Sequence, residues 1–163
     1  MQILSAPSGG RTSVAGYFGG GQTTGGTDVS GIEKFTFPND TRTILSATLT
    51  TARANLEGFA NSGVAGYFGG GQDSVGYVSG IDKITFPADT KTTLVATLST
   101  VNRRLAGMAD TDVAGYFGGG RDTVGRIATV DKIAFPSDTK STLGTGLSQV
   151  NERLSAMADC GVF

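Results

Sequence analysis

Arginine recurs along this chain in company with amides and carboxylates. Arg53 and Asn55 stand in one stretch, Asn102, Arg103 and Arg104 in a second, and Asn151, Glu152 and Arg153 in a third. A further polar set follows each of three glycine runs: Gln22, Thr23 and Asp28; Gln72, Asp73 and Tyr77; Arg121, Asp122 and Arg126. Guanidinium groups beside amides, hydroxyls and carboxylates form the donor and acceptor set that binds hydroxyl-rich or carboxylate ligands. The plainer reading of the same residues is that they solvate loops and pair with neighbouring Asp or Glu.

Other chemistries lack their parts. Histidine is absent, which removes the commonest general base and the commonest metal ligand, and with it any Ser/His/Asp or Cys/His set. Cys160 is the only cysteine, so no intrachain disulfide forms; it reads as a small half-buried residue at a strand end. A net charge of −1 gives no electrostatic case for nucleic acid. The glycine runs are not phosphate loops, because no Gly-Lys-Ser/Thr follows and no helix is expected there. Asp40, Asp89 and Asp138 supply one carboxylate per turn, fewer than calcium requires. No cofactor and no metal is therefore expected. Nowhere do roughly 18 apolar residues run together, so no membrane span is read, and Met1–Ser13 shows no secretory leader.

The elements that must position these residues follow from a repeat. Val-Ala-Gly-Tyr-Phe-Gly-Gly-Gly begins at Val14, Val64 and Val113, spacings of 50 and 49 residues. Self-similarity at such a period is the signature of stacked units that each bury their apolar face on a neighbour. Residues 1–13 read as a polar lead-in, and residues 14–63, 64–112 and 113–161 as three units of one domain. Glycine makes up 26 of 163 residues, but the glycine runs recur at fixed places beside Tyr, Phe, Val and Ile, so disorder is not their meaning. In each unit Val14–Phe18 or its equivalent is a short strand stopped by glycines. Ile32–Phe37, Ile81–Phe86 and Val130–Phe135 alternate apolar and polar residues, as a half-buried strand does. Pro38, Pro87 and Pro136, each with an Asp-Thr pair after it, make a turn into an outer strand at Thr43–Leu49, Thr92–Leu98 or Ser141–Leu147. Arg42, Lys91 and Lys140 are placed to guard that edge. The segments 52–60, 102–109 and 151–158 contain helix formers, yet each covers only about two turns, which is marginal alone. Gly58 and Gly107 interrupt two of them, so the expectation is a fourth strand and an all-β chain.

A glycine-stopped strand, a loop, a strand with a Pro/Asp-Thr turn, an outer strand and an Arg-containing return together resemble the kelch repeat. Arg104-Leu105-Ala106-Gly107-Met108-Ala109 before Val113–Gly120 is similar to the kelch lead-in; the chain has three glycines where kelch has two, and no tryptophan. The wording Tyr-Phe-Gly-Gly-Gly and Phe-Pro-x-Asp-Thr is similar to repeats of marine virus and cyanophage virion or tail-fibre proteins. The resemblance spans residues 14–163 and implies kelch-like β-propeller blades of four strands each. Because propellers close with about 4–8 blades, three blades imply a six-bladed ring of two chains, the Leu154–Asp159 strand of each completing the other's first blade. The alternative is a fragment of a longer protein, or a chain engineered to assemble.

On that architecture Arg53, Asn55, Arg103, Arg104, Arg153, Gln22, Gln72, Arg121 and Tyr77 share one face and are the candidate ligand-binding residues. The implied function is a non-enzymatic structural or recognition module, a virion part that binds a protein or a cell-surface glycan. Two alternatives stay open: an intracellular kelch-type adaptor that holds an acidic peptide, and a designed self-assembling propeller without ligand.

Overall fold

The computed structural model describes residues 14–159, and all regular structure in them is β. The first antiparallel sheet contains β1 (Ala15–Gly19), β2 (Gly31–Thr36) and β3 (Thr41–Thr48) in chain order. The second contains β4 (Glu57–Asn61), β5 (Ala65–Gly69), β6 (Ile81–Thr85) and β7 (Thr90–Thr93). The third repeats it with β8 (Ala106–Asp110), β9 (Ala114–Gly118), β10 (Val130–Ala134) and β11 (Thr139–Thr142).

Each sheet is a meander, and the chain crosses from its last strand to the first strand of the next sheet. The segments 57–61 and 106–110 are strands, as the interrupted helix formers predict. The period-2 alternation of a strand places Ala65, Tyr67 and Gly69 of β5 on one buried face. One apolar layer, Ile32, Leu49 and Ile84, fills the space between the first and second sheets. A larger one, with Tyr67, Ile81, Leu98, Leu105, Phe117, Ile133 and Phe135, fills the space between the second and third. The sheets approach closest at β4 and β8, where a Cβ on Gly107 would stand 2.7 Å from the Gly58 carbonyl oxygen.

The second residue of the glycine run is where the sheets are clamped together. Gly20, Gly70 and Gly119 hold φ of 69°, 66° and 63°, a region that costs other residues about 1–2 kcal/mol. A Cβ there would meet the carbonyl oxygens of Arg53, Asn102 and Asn151 at 2.7, 2.6 and 3.0 Å. Those same carbonyls accept from the next glycine N–H, Gly21, Gly71 and Gly120, at 2.9, 2.8 and 2.7 Å. The first two glycine runs thus grip the segments entering the second and third sheets, and the third grips the equivalent segment at Asn151.

Three expectations are corrected. The outer strands β7 and β11 begin at the Asp-Thr turn and stop before Leu94 and Leu143. The Leu94 and Leu98 N–H groups donate to the Ile81 and Ser79 carbonyls, and those of Leu143 and Leu147 to Val130 and Ala128, so the residues between each pair bulge out of the ladder. Their lysines do more than guard an edge: Lys91 and Lys140 reach Asp82 and Asp131 at 3.4 and 3.2 Å. Finally, Leu154–Asp159 is not a strand, and the first sheet has three strands. A strand needs a partner, and among the described residues none lies beside either the segment or the Tyr17 and Gly19 backbone at the inner edge of β1. Cys160 and residues 1–13 lie outside the described residues.

Candidate functional site

The polar residues gather where the loop after each glycine run meets the segment entering an inner strand. Backbone bridges join Ala54 to Gln72 and Gln72 to Tyr77, and equivalently Arg103 to Arg121 and Arg121 to Arg126. The repeat therefore lines up three residues side by side, two from the loop and one from the inner segment. Arg103, on the segment entering the third sheet, donates from Nη1 to Gln72 Oε1 on the second sheet's loop and lies over the Tyr77 ring, 4.4 Å from its centroid. A guanidinium over an aromatic face is held by the ring quadrupole, so Arg103 is oriented before any ligand arrives. Its Nε is buried and has no partner among the described residues.

The third repeat brings a carboxylate into this arrangement. Glu152 occupies the position that Ala54 and Arg103 hold in the other repeats. Three guanidinium groups converge on it, with Arg104 Nη1 at 3.4 Å, Arg121 Nη1 at 3.7 Å and Arg126 Nε at 3.3 Å. Burial raises the Glu152 pKa, but Arg104, Arg121 and Arg126 outweigh it and hold the carboxyl below its ordinary value. With Arg103 and Arg153 close by in sequence, cations exceed carboxylates in this cluster. Asp122 does not offset them, since its carboxylate is turned back onto the N–H groups of Val124 and Gly125, both at 2.8 Å.

Other predicted site residues are placed differently. Arg53 is buried, 1% exposed, because its guanidinium is used between sheets: Nη2 donates to Asp82 Oδ2 and to the Phe68 carbonyl, both at 3.1 Å. It faces no ligand. Gln22 donates to Asp28 at 3.1 Å and is exposed at the first sheet, away from the arginines of the third. Asn55, Arg104 and Arg153 share a left-handed backbone, φ 56°, 55° and 60°. They are linked in series, with Arg104 N–H donating to the Asn55 carbonyl at 2.8 Å and Arg153 N–H to the Arg104 carbonyl at 2.9 Å. Asn55 and Arg153 are exposed.

Sequence reasoning assigned Asp89 and Asp138 to turns and missed their second task. Tyr17 Oη and Lys34 Nζ donate to Asp89 at 2.7 and 2.8 Å, and Tyr67 Oη and Lys83 Nζ to Asp138 at 2.8 and 2.6 Å. The signal was available: Tyr, Lys and Asp recur with one period. Burial, followed by the Asp138 hydrogen bond, pushes the Tyr67 hydroxyl far above its ordinary pKa.

The geometry defines an all-β repeat protein with an arginine-rich end and no helix long and apolar enough to cross a membrane among the described residues. No protein-family model and no curated protein matches the chain. Among solved structures it is similar to YjhT, with a TM-score of 0.68 at 12% identity over 85% of this chain and 51% of that one. The chain spans about half the length of that structure, and at such identity the likeness speaks for the fold alone.

Proposed function

We propose that the three sheets are blades of a kelch-like β-propeller and that the protein is a non-enzymatic recognition module whose arginine-rich end takes carboxylate-bearing ligands. The observation that carries this reading is the convergence of Arg104, Arg121 and Arg126 on the single carboxylate of Glu152. It is a carboxylate-binding geometry built by the chain itself, with Arg153 left exposed beside it. Forked guanidinium donors give directional recognition of carboxylates, which suits an acidic cell-surface glycan. Histidine, the commonest general base at neutral pH, is absent, which favours binding without turnover.

The test is binding to sialylated and to matched neutral oligosaccharides at two salt concentrations. Sialylated ligands bind, more weakly as salt screens the charge, and Arg104→Ala with Arg121→Ala abolishes the binding. Equal binding of neutral sugars, or wild-type affinity in the double variant, would reject it. Capture of an acidic peptide in place of the glycan would transfer the site to a protein partner.

A further inference from the structure

The contacts between neighbouring sheets form a set that occurs twice in the described chain, while each half of a third set lies bare at opposite ends. Asp89 and Asp138 each accept a tyrosine hydroxyl and a lysine from the preceding sheet. Their ring partners repeat as well: Tyr17 stacks on Phe86 at 4.7 Å between centroids, and Tyr67 on Phe135 at 5.4 Å. A phenylalanine of each later sheet covers a glycine of the earlier one, Phe68 over Gly19 and Phe117 over Gly69.

At the far face of the third sheet the donor half stands ready. Lys132 lies over its own Tyr116 ring, 6.0 Å from the centroid, and a Cβ on Gly118 would meet nothing nearer than Val130 Cγ2 at 3.5 Å. At the near face of the first sheet the acceptor half stands ready too. Asp40 has the same backbone as its equivalents, φ 52° against 54° and 56°, and is exposed with no side-chain partner among the described residues. Phe18 and Phe37, equivalent to the covering and stacking rings, are 68% and 44% exposed.

The inner strand is split between the two ends in the same way. The hydrogen bonds of Gly20 N–H to the Gly31 carbonyl and of Phe37 N–H to the Val14 carbonyl fix the parity of the β1–β2 ladder. Tyr17 and Gly19 consequently turn their backbone groups to the opposite, open edge. Between that edge and the second sheet lies a cavity of about 850 Å³ lined by Tyr17, Leu56, Phe59, Phe68, Ile84 and Phe86. It occupies the place that β4 and β8 fill in the other sheets. Leu154 packs against Gly119 as Leu105 does against Gly70, but Met157 beyond it is 89% exposed.

We infer that a second copy of this chain seats on these faces, each copy laying its 155–157 segment as the innermost strand along Tyr17–Gly19 of the other. The register is set by the pairs Ala106↔Gly118, Gly107↔Phe117 and Met108↔Tyr116. By the repeat, Ser155 lies opposite Gly19, Ala156 opposite Phe18 and Met157 opposite Tyr17, with the Met157 side chain entering the cavity. Tyr116 and Lys132 then donate to the other copy's Asp40, and that copy's Phe18 covers Gly118. The contact is head-to-tail, and two copies related by a twofold axis use it twice and close. This inference rests on the reading of the sheets as blades and not on the ligand, so loss of glycan binding would leave it standing.

The test is the native mass of the 163-residue chain, together with disulfide trapping. The expected mass is twice 16.6 kDa, and Lys132→Ala with Tyr116→Ala weakens the dimer at least tenfold while the circular dichroism of each copy is unchanged. A monomer at concentrations up to ~100 μM, far above the Kd of a specific interface, or an open-ended polymer, overturns the proposal. In a Cys160→Ser background, Phe18→Cys with Ala156→Cys places thiols on a directly opposed pair, and oxidation gives a covalent dimer. Thiols that close within one chain, or that do not close, mean that another segment fills the cavity, which equally overturns it.

Discussion

Arg53 and Arg126 show how far one residue type diverges with its surroundings. Arg53 is sealed against Asp82 at 3.1 Å, both side chains at most 2% exposed, whereas Arg126 is 57% exposed beside Glu152. Removing one partner of a buried pair leaves an uncompensated charge and costs about 3–5 kcal/mol, while an exposed pair is worth about 0–1 kcal/mol. Arg53→Ala is therefore expected to lower the denaturant midpoint sharply and Arg126→Ala hardly at all; equal effects would contradict the assignment of Arg53 to the core. Asp82 adds a pH dependence. Burial raises its pKa, but the Thr50 hydroxyl and N–H, then Arg53 and Thr93, outweigh that and hold the carboxyl below its ordinary value. A depressed carboxyl stabilises the fold above its unfolded pKa of about 3.9 and loses that contribution as pH falls through the folded value. The stability advantage of wild type over Asp82→Asn, followed by urea titration, is expected to be constant from about pH 7 to 5 and to shrink below about pH 4.

At the scale of elements, the glycine run is the feature on which the sheets depend. Gly70→Ala forces a Cβ to 2.6 Å from the Asn102 carbonyl oxygen at φ 66°, so it is expected to destabilise by more than about 1 kcal/mol. Gly76→Ala has nothing within 4 Å and no positive φ, and its unfolding curve should overlay that of wild type. Strands were legible in the sequence because glycines and the Pro/Asp-Thr turn punctuate an alternating pattern. Strand ends were less so. The Thr-rich stretch reads as one strand to Leu98, yet β7 ends at Thr93, since the Leu94 and Leu98 N–H groups donate to Ile81 and Ser79 and the residues between them bulge out of the ladder.

The described residues form a row of sheets, and among them only the middle sheet is covered on both faces. Stability in such arrays comes from neighbour contacts as much as from each unit. If a second copy covers the two bare faces, the melting temperature must rise with protein concentration by mass action, and this dependence should vanish in Tyr116→Ala, Lys132→Ala. A melting temperature independent of concentration in the wild type would remove the intermolecular contribution.

The repeat itself determined the number of units, their all-β character and the kinds of side chain brought to the loops, because period and alternation are one-dimensional properties of a chain. Which arginine is buried and which is open was decided by packing alone. Arg53 and Asn102 are equivalent by position and each faces an aspartate of the next sheet, Asp82 or Asp131, whose equivalence shows in the Thr50 and Ser99 N–H groups that donate to them. Only Arg53 has the length and charge to pair with it. The pairing of tyrosine and lysine with an aspartate more than fifty residues away likewise depends on how neighbouring sheets stack. Such contacts join faces, and a face exists only once the strands are folded.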